Sequence, residues 1–269
     1  MSERLSVSRW GDVVQPDVVL VHGSLTWGSE TFAAQRPLAD RYYLVLPDRY
    51  GYGGSPDATG DYPSDYRQDA TAVADLLGGG AHLVGHSYGG VVALLTAAQR
   101  PDRVRSLTLI EPAAHQGAID DPVVADAVRE MRSVMDEARR RGADEYLSLA
   151  FPSDEPRPGP PGWLHRAAGS ALHELPAWLA PLPLQEVANA NYPKLVISGA
   201  WDVMAPEHLP STATALRLVA RKVATTIGAE WREVPGAAHD VHREQPDLLN
   251  TMLADLWSRI GQPSPPRRQ

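Results

Sequence analysis

The sequence contains no cysteine in its 269 residues. Disulfide bonds, thiolate metal ligands and a cysteine nucleophile are therefore excluded. No window approaches twenty consecutive apolar residues and no signal-like apolar stretch begins the chain, which predicts a cytoplasmic protein with no membrane partner. Acids outnumber lysine and arginine by 33 to 25, and the resulting charge of −8 argues against nucleic acid as a partner. A small, largely apolar molecule is the expected substrate.

The chain, with 43% hydrophobic residues, is long enough to bury one sizeable core. Short apolar runs typical of buried strands alternate with segments at helical spacing, which predicts a doubly wound, mostly parallel α/β sheet. The predicted strands are Arg4 to Trp10, Val18 to Val21, Tyr43 to Leu46, the run from Ala81, Val104 to Ile110, Lys194 to Ser198 and Trp231 to Val234. Ligands of such sheets bind beyond the carboxyl ends of the strands.

The stretch from Ala81 to Leu95 combines a short apolar run, a serine between glycines and an apolar segment at helical spacing. It predicts a strand, a sharp turn and a helix, with Ser87 raised on a strained turn whose flanks have no room for side chains. A helix cap is the alternative role for Ser87, but it does not account for the further glycine at position 90. We therefore predict that Ser87 is a nucleophile, which needs a base and a group that orients the base.

Two histidines and two acids compete for these supporting roles. His239 follows the last strand by a glycine turn and precedes a helix, so it is preferred as the base over His242. Asp202 follows a strand at the same edge of the sheet and is the preferred orienting acid. Glu111 also follows a strand at that edge and remains the alternative. The predicted catalytic set is Ser87, Asp202 and His239.

The turn after the first fully apolar strand predicts an oxyanion hole. Gly23 allows the backbone to turn and present an amide above the sheet, and the amides of Ser24 and Tyr88 are the candidate donors. His22, at the strand end, is expected to be structural. Asp48 in the next loop is expected to stabilise that loop rather than to catalyse.

Residues 114–192 interrupt the alternation, because no strand-like run occurs in them. Helical spacing from Val123 to Met135 and from Trp163 to Leu179, on either side of a proline-rich loop, predicts an inserted helical lid over the pocket. Packing of these helices on the flank of the sheet is the alternative. The predicted division is a core over 1–113 and 193–262, a lid over 114–192 and a disordered tail over 263–269. Candidate pocket residues are Trp27, Met131, Met135 and Trp163.

Five motifs together resemble the α/β-hydrolase superfamily, and the resemblance covers the chain outside the lid and the tail. They are His22-Gly23, Asp48 to Ser55, the elbow Gly85 to Gly90, Gly199 to Asp202, and Gly236 to His239 with Glu244-Gln245-Pro246. The order serine, acid, histidine is also the one found in that superfamily. The resemblance implies Ser87 as nucleophile, His239 as general base and acid, Asp202 as orienting acid, and neither a cofactor nor a metal.

Within that superfamily, Ser87 separates this chain from epoxide hydrolases and haloalkane dehalogenases, which carry an aspartate at the corresponding position. The oxyanion loop has a single glycine, Gly23, rather than the glycine run of some lipases, which argues against bulky tertiary-alcohol esters. The expected activity is hydrolysis of an ester, thioester or lactone through an acyl-enzyme. Lyase, carbon–carbon cleavage, perhydrolase or cofactor-free oxygenase chemistry and a non-enzymatic receptor remain the alternatives.

Overall fold

One mixed sheet of seven strands organises the computed structural model, which describes residues 4–150, 161–203 and 211–260. The strands are β1 (Val7–Trp10), β2 (Asp17–Val21), β3 (Tyr43–Pro47), β4 (Ala81–His86), β5 (Val104–Ile110), β6 (Lys194–Gly199) and β7 (Glu230–Val234). Their spatial order is β1-β3-β2-β4-β5-β6-β7, and every neighbouring pair is parallel except β1 with β3. The predicted doubly wound, mostly parallel sheet is confirmed. The expected tail over 263–269 lies outside the described residues.

Helices connect the parallel strands. They are α1 (Gly28–Thr31), α2 (Tyr66–Leu76), α3 (Tyr88–Gln99), α4 (Pro122–Arg141), α5 (Ala143–Ala150), α6 (Pro161–His173), α7 (Leu184–Asn189), α8 (Ser211–Ile227), α9 (Val241–Glu244) and α10 (Pro246–Ser258). The helix expected to continue to Leu179 ends at His173, because Pro176 interrupts the α-helical hydrogen bonds. In the three described ranges, no helix is both long and apolar enough to cross a bilayer.

Apolar side chains cover both faces of the sheet. Val19 and Val21 belong to a cluster with α2, α3 and α8, whereas Val18 and Leu20 belong to a second cluster with α10. This alternation follows from the two-residue period of a strand, and burial on both faces explains why the strands are continuous apolar runs. Each fully buried valine or leucine contributes roughly 1.5–3 kcal/mol. The core therefore holds the carboxyl ends of the strands, and the loops that follow them, on a rigid base.

Between β5 and β6 the described chain is helical, from α4 to α7. The side chain of Asp121 caps α4 by accepting a hydrogen bond from the Val123 amide at 2.9 Å, and Pro122 occupies the first turn. Two small apolar clusters join α4, α5 and α6. Met135 lies in one of them, buried against Ala138 and Leu172.

Candidate active site

Ser87 lies on the turn between β4 and α3 with a φ of 53°. Backbone hydrogen bonds hold this left-handed conformation, since the Ser87 amide donates to the Ile110 carbonyl at 2.9 Å. Glycine is required on both sides. A Cβ on Gly85 would collide with the carbonyl of Gly89, and a Cβ on Gly89 would collide with the carbonyl of Val21. The elbow that the glycine pattern predicts is therefore present, with its serine held away from the strand.

His239 lies in the loop between β7 and α9, with its Nδ1 3.4 Å from Oε2 of Glu111 at the end of β5. Glu111 is fully buried, and its Oε1 accepts hydrogen bonds from the Gly199 amide at 2.7 Å and from Trp201 Nε1 at 3.4 Å. Burial lowers the pKa of His239, but the hydrogen bond and charge of Glu111 outweigh it and raise that pKa above its usual range. The pairing assigns the proton to Nδ1 and leaves Nε2 as the basic nitrogen.

Asp202 does not occupy the expected position beside His239. Its side chain is exposed, and its Oδ1 accepts a hydrogen bond from the Gly236 amide at 2.8 Å. Trp201 has a φ of 58°, so the chain turns sharply after β6 and carries Asp202 to the turn that follows β7. The carboxylate that reaches His239 within the described residues belongs to Glu111, the alternative acid of the sequence analysis.

The predicted oxyanion loop passes directly beside Ser87, the predicted nucleophile. A Cβ built on Gly23 would lie 3.0 Å from the Cβ of Ser87, so a larger residue there would press on Ser87 and glycine suits this close approach. No hydrogen bond within the described part of the chain uses the amide of Ser24. Tyr88 is the first residue of α3, where an amide has no partner inside the helix. Both candidate donors therefore have amides available near Ser87.

Ser87 and His239 line a cavity of about 240 Å³, together with Ser24, His86 and Arg243 among others. A larger groove of about 990 Å³ lies between β1 and α2, away from these groups. The small cavity is the candidate site because it holds Ser87 and His239, the predicted nucleophile and base.

The four candidate pocket residues are absent from the described lining of that small cavity. Met135 belongs instead to the core of the inserted helices, and Met131 is half-buried on α4. Trp27 is buried and its ring meets that of Trp163 edge to face, with centroids 5.3 Å apart. This pair joins the loop after β2 to the inserted segment rather than lining the cavity.

The other histidines near the site are buried and held neutral. His242 is 1% exposed, and its ring lies 4.3 Å from that of His86. Burial holds the pKa of His242 well below its usual range, and the described contacts give it no carboxylate partner. His22 Nε2 accepts a hydrogen bond from the Arg49 amide at 2.8 Å, as suits a structural residue. His239 is therefore the better candidate for the base.

One group of side chains has the composition of a metal site. His86, His239 and Asp240 place ligating atoms within 4.8 Å of one another. A cation there would occupy His239, which already pairs with Glu111 and shares the cavity of Ser87. The arrangement thus suits a base more than a ligand set, and the absence of a metal or cofactor stays a prediction.

Sequence reasoning missed a buried ionic cluster beneath the oxyanion loop. Arg49 is fully buried and pairs with Asp69 at 3.3 Å and with Glu174 at 3.2 Å. Arginine in a short glycine-rich loop, where Asp48 is the only acid, was a signal that it needs a partner from elsewhere in the chain. Glu174 gave no such signal, because an acid within a helical pattern is usually on the solvated face.

The sequence matches the model of the Alpha/beta hydrolase family over residues 18–251. The chain belongs to this family. The predicted superfamily and the expectation of a hydrolase are thereby confirmed.

Several curated relatives are esterases or lipases by name. A pimeloyl-(acyl-carrier protein) methyl ester esterase of Chromobacterium violaceum is 40% identical over 99 residues, which is 35% of this chain and 36% of that protein. Lipase LipV of Mycobacterium tuberculosis is 33% identical over 141 residues, 51% of this chain and 52% of that one. The matched stretches thus span only about a third to a half of these relatives.

A solved structure extends the likeness to the whole fold. A thermophilic esterase from Thermogutta terrifontis superposes with a TM-score of 0.67 at 22% identity, covering 96% of this chain and 94% of that chain. At this identity, the likeness concerns the fold alone.

Proposed function

We propose that this protein hydrolyses carboxylic esters of small molecules through an acyl-enzyme on Ser87. The observation that carries the proposal is the arrangement of the cavity. Ser87, on a strained elbow, shares it with His239, whose Nδ1 faces the buried carboxylate of Glu111. The names of the relatives, an esterase and a lipase, support ester bonds over other substrates. Thioesters and lactones, which react by the same steps, fall within the proposal.

His239 acts as base and then as acid in this proposal. Its Nε2 takes the proton of Ser87 Oγ while that oxygen attacks the ester carbonyl, and Glu111 stabilises the imidazolium that forms. Collapse of the tetrahedral intermediate expels the alcohol, which receives the proton from Nε2. A water molecule then gives its proton to Nε2 and attacks the acyl-enzyme, and the acid leaves as Ser87 regains its proton.

The amides of Ser24 and Tyr88 are the proposed oxyanion donors. Tyr88 is the first residue of α3, and the positive end of the helix dipole there also favours negative charge near Ser87. Each donor of this kind is worth on the order of 10²-fold in rate. The developing charge on the carbonyl oxygen would thus be met by two donors fixed in different elements.

The inserted helices are proposed to cover the site as a lid. Leu25, which lines the cavity, packs against the cluster of Leu147, Leu164 and Ala168 on α5 and α6. A cavity of about 240 Å³ is smaller than the pockets of roughly 300–1,000 Å³ that hold drug-sized ligands, and it suits a short acyl group. We therefore expect esters of short acids to be the better substrates.

Hydrolysis of p-nitrophenyl esters of increasing chain length tests the proposal, with wild type, Ser87→Ala and the exposed control Ser258→Ala. Wild type and Ser258→Ala should turn over short esters and form an acyl adduct that intact mass detects, whereas Ser87→Ala should do neither. Product analysis should return an acid and an alcohol in equal amounts. Ester turnover that survives in Ser87→Ala contradicts the proposal. Folded wild type without turnover on ester, thioester and lactone panels also contradicts it and favours a lyase, oxygenase or receptor role.

A further inference from the structure

Two consecutive residues immediately after α6, Glu174 and Leu175, contact both proposed oxyanion-hole residues. Ser24 Oγ donates a hydrogen bond to Glu174 Oε1 at 2.5 Å, and Tyr88 OH donates one to the Leu175 carbonyl at 3.1 Å. The Leu175 amide is itself fixed, because it donates to the Ser64 carbonyl at 2.9 Å. The inserted segment and the two oxyanion residues are thus joined at one point.

Glu174 is anchored through its other oxygen. Oε2 accepts hydrogen bonds from Tyr52 OH at 2.7 Å and from Arg49 Nη2 at 3.2 Å, and the residue is only 4% exposed. A buried carboxylate with three donors around it has little freedom to move, because each lost bond would leave a buried polar atom unpaired. The Ser24 side chain therefore has a fixed partner.

Arg49 holds the same loop from below. Its Nη2 donates to the Gly23 carbonyl at 2.9 Å, and its guanidinium carbon lies 3.8 Å from the ring centroid of Tyr88. Burial raises the pKa of both its acidic partners, that of Asp69 to about 6. One cation faces two acids here, so a neutral side chain at position 174 still leaves Arg49 paired with Asp69.

We propose that Glu174 is a positioning residue that fixes the Ser24 amide for the oxyanion, while the adjacent Leu175 fixes Tyr88. The inference rests on the proposed function, because it concerns the amides that stabilise the tetrahedral intermediate. Oxyanion donors act by being in place before charge develops, and displacing one by a fraction of its bond length costs on the order of tenfold to a hundredfold in rate. The inserted segment thus contributes to the rate of acylation although the described lining of the cavity includes none of its residues.

Ser24→Ala, Glu174→Gln and the double variant test this role in the full-length protein. Ser24→Ala is the cleanest change, since it removes the tethering hydroxyl and keeps the amide donor. We expect the single-turnover acylation rate with p-nitrophenyl acetate to fall about tenfold while the half-saturating ester concentration changes less than about twofold. The affinity for a phenylboronic acid, whose serine adduct places an oxygen in the oxyanion hole, should fall by a similar factor. The double variant should be no worse than the poorer single one, because both remove one contact.

Glu186→Gln, exposed on α7 of the same inserted segment, is the matched control and should resemble wild type in every measurement. If the role is merely structural, Ser24→Ala and Glu174→Gln will have lower melting temperatures, but their acylation rates and boronic acid affinities will stay within twofold of wild type. That result overturns the inference. If Glu174→Gln does not fold, the acylation rate and boronic acid affinity of Ser24→Ala test the inference alone. Failure of the proposed function is distinguishable, because wild type would then lack any turnover that depends on Ser87, and both proposals would fall.

Discussion

Replacing Glu111 by glutamine removes the carboxylate charge that lies 3.4 Å from His239 Nδ1. The change is nearly isosteric. The glutamine oxygen can still accept from the Gly199 amide, so the turn at the end of β6 keeps its buried hydrogen bond. The glutamine NH₂ group would then face His239, and the imidazole would be driven to carry its proton on Nε2, where it can no longer take the proton of Ser87.

The expected loss can be worked from the distance. Two unit charges 3.4 Å apart attract by about 5 kcal/mol at an effective dielectric constant of about 20. The His239 side chain is 35% exposed, and solvent screening reduces this to about 3–4 kcal/mol. Because the imidazolium exists only as Ser87 attacks, the loss falls on the transition state, and kcat should drop by about 10²–10³-fold.

Asp202→Asn is the matched comparison. Its Oδ1 accepts from the Gly236 amide, a bond that asparagine keeps, so kcat should stay within about twofold of wild type. Steady-state hydrolysis of p-nitrophenyl acetate, with circular dichroism melting to verify folding, measures both variants. A large loss in Asp202→Asn with near-normal activity in Glu111→Gln would contradict the role given to Glu111 and return the orienting role to Asp202.

Three other outcomes can be measured directly. The raised pKa of His239 should place the acidic limb of the kcat/KM profile at a higher pH than an unperturbed histidine would, because only the neutral ring is a base. In Glu111→Gln, the acidic limb of the remaining activity should move to lower pH. Gly85→Ala should destabilise the protein by at least about 1–3 kcal/mol in urea unfolding, because its methyl group would press on the carbonyl of Gly89; an unchanged midpoint would count against the elbow geometry. Asp48→Ala should cost about 2–4 kcal/mol in the same assay, because two loop amides that donate to its carboxylate at 3.0 Å would lose their acceptor, whereas kcat of the folded fraction should be retained.

The sheet could be predicted because its strands are buried on both faces. Such strands must be apolar at every position, so Val18 to Val21 and Val104 to Ile110 stand out from amphipathic helices without any knowledge of their neighbours. Boundaries were less certain where one face is exposed. The first strand, expected from Arg4, begins at Val7, because the edge strand pairs only from Val7 onward with β3.

The orienting acid could not be chosen by the same argument. Glu111 and Asp202 follow β5 and β6, which are adjacent, so both reach the edge where His239 lies. The difference is in the backbone. A positive φ at Glu111 (44°) turns its side chain toward His239, and a positive φ at Trp201 (58°) turns Asp202 away from it. Neither residue with positive φ is a glycine, so the sequence does not indicate these turns. The length of the acidic side chain also matters. β5 lies two strands from β7, roughly 10 Å, a span that favours the longer glutamate over an aspartate.

The burial of Glu174 could not be predicted from the sequence at all, because it depends on contacts between distant parts of the chain. Glu174 meets Ser24 across 150 residues, and its burial depends on Arg49, Tyr52 and the oxyanion loop being assembled around it. An unpaired carboxylate there would be strongly disfavoured, so the insertion can dock in this position only when the loop beneath it is correctly formed. Conversely, the loop loses a hydrogen-bond acceptor if the insertion moves away. If the insertion acts as the proposed lid, its docking and the formation of a competent oxyanion hole would be a single event, and a variant that removes the tether is expected to affect acylation more than ester binding.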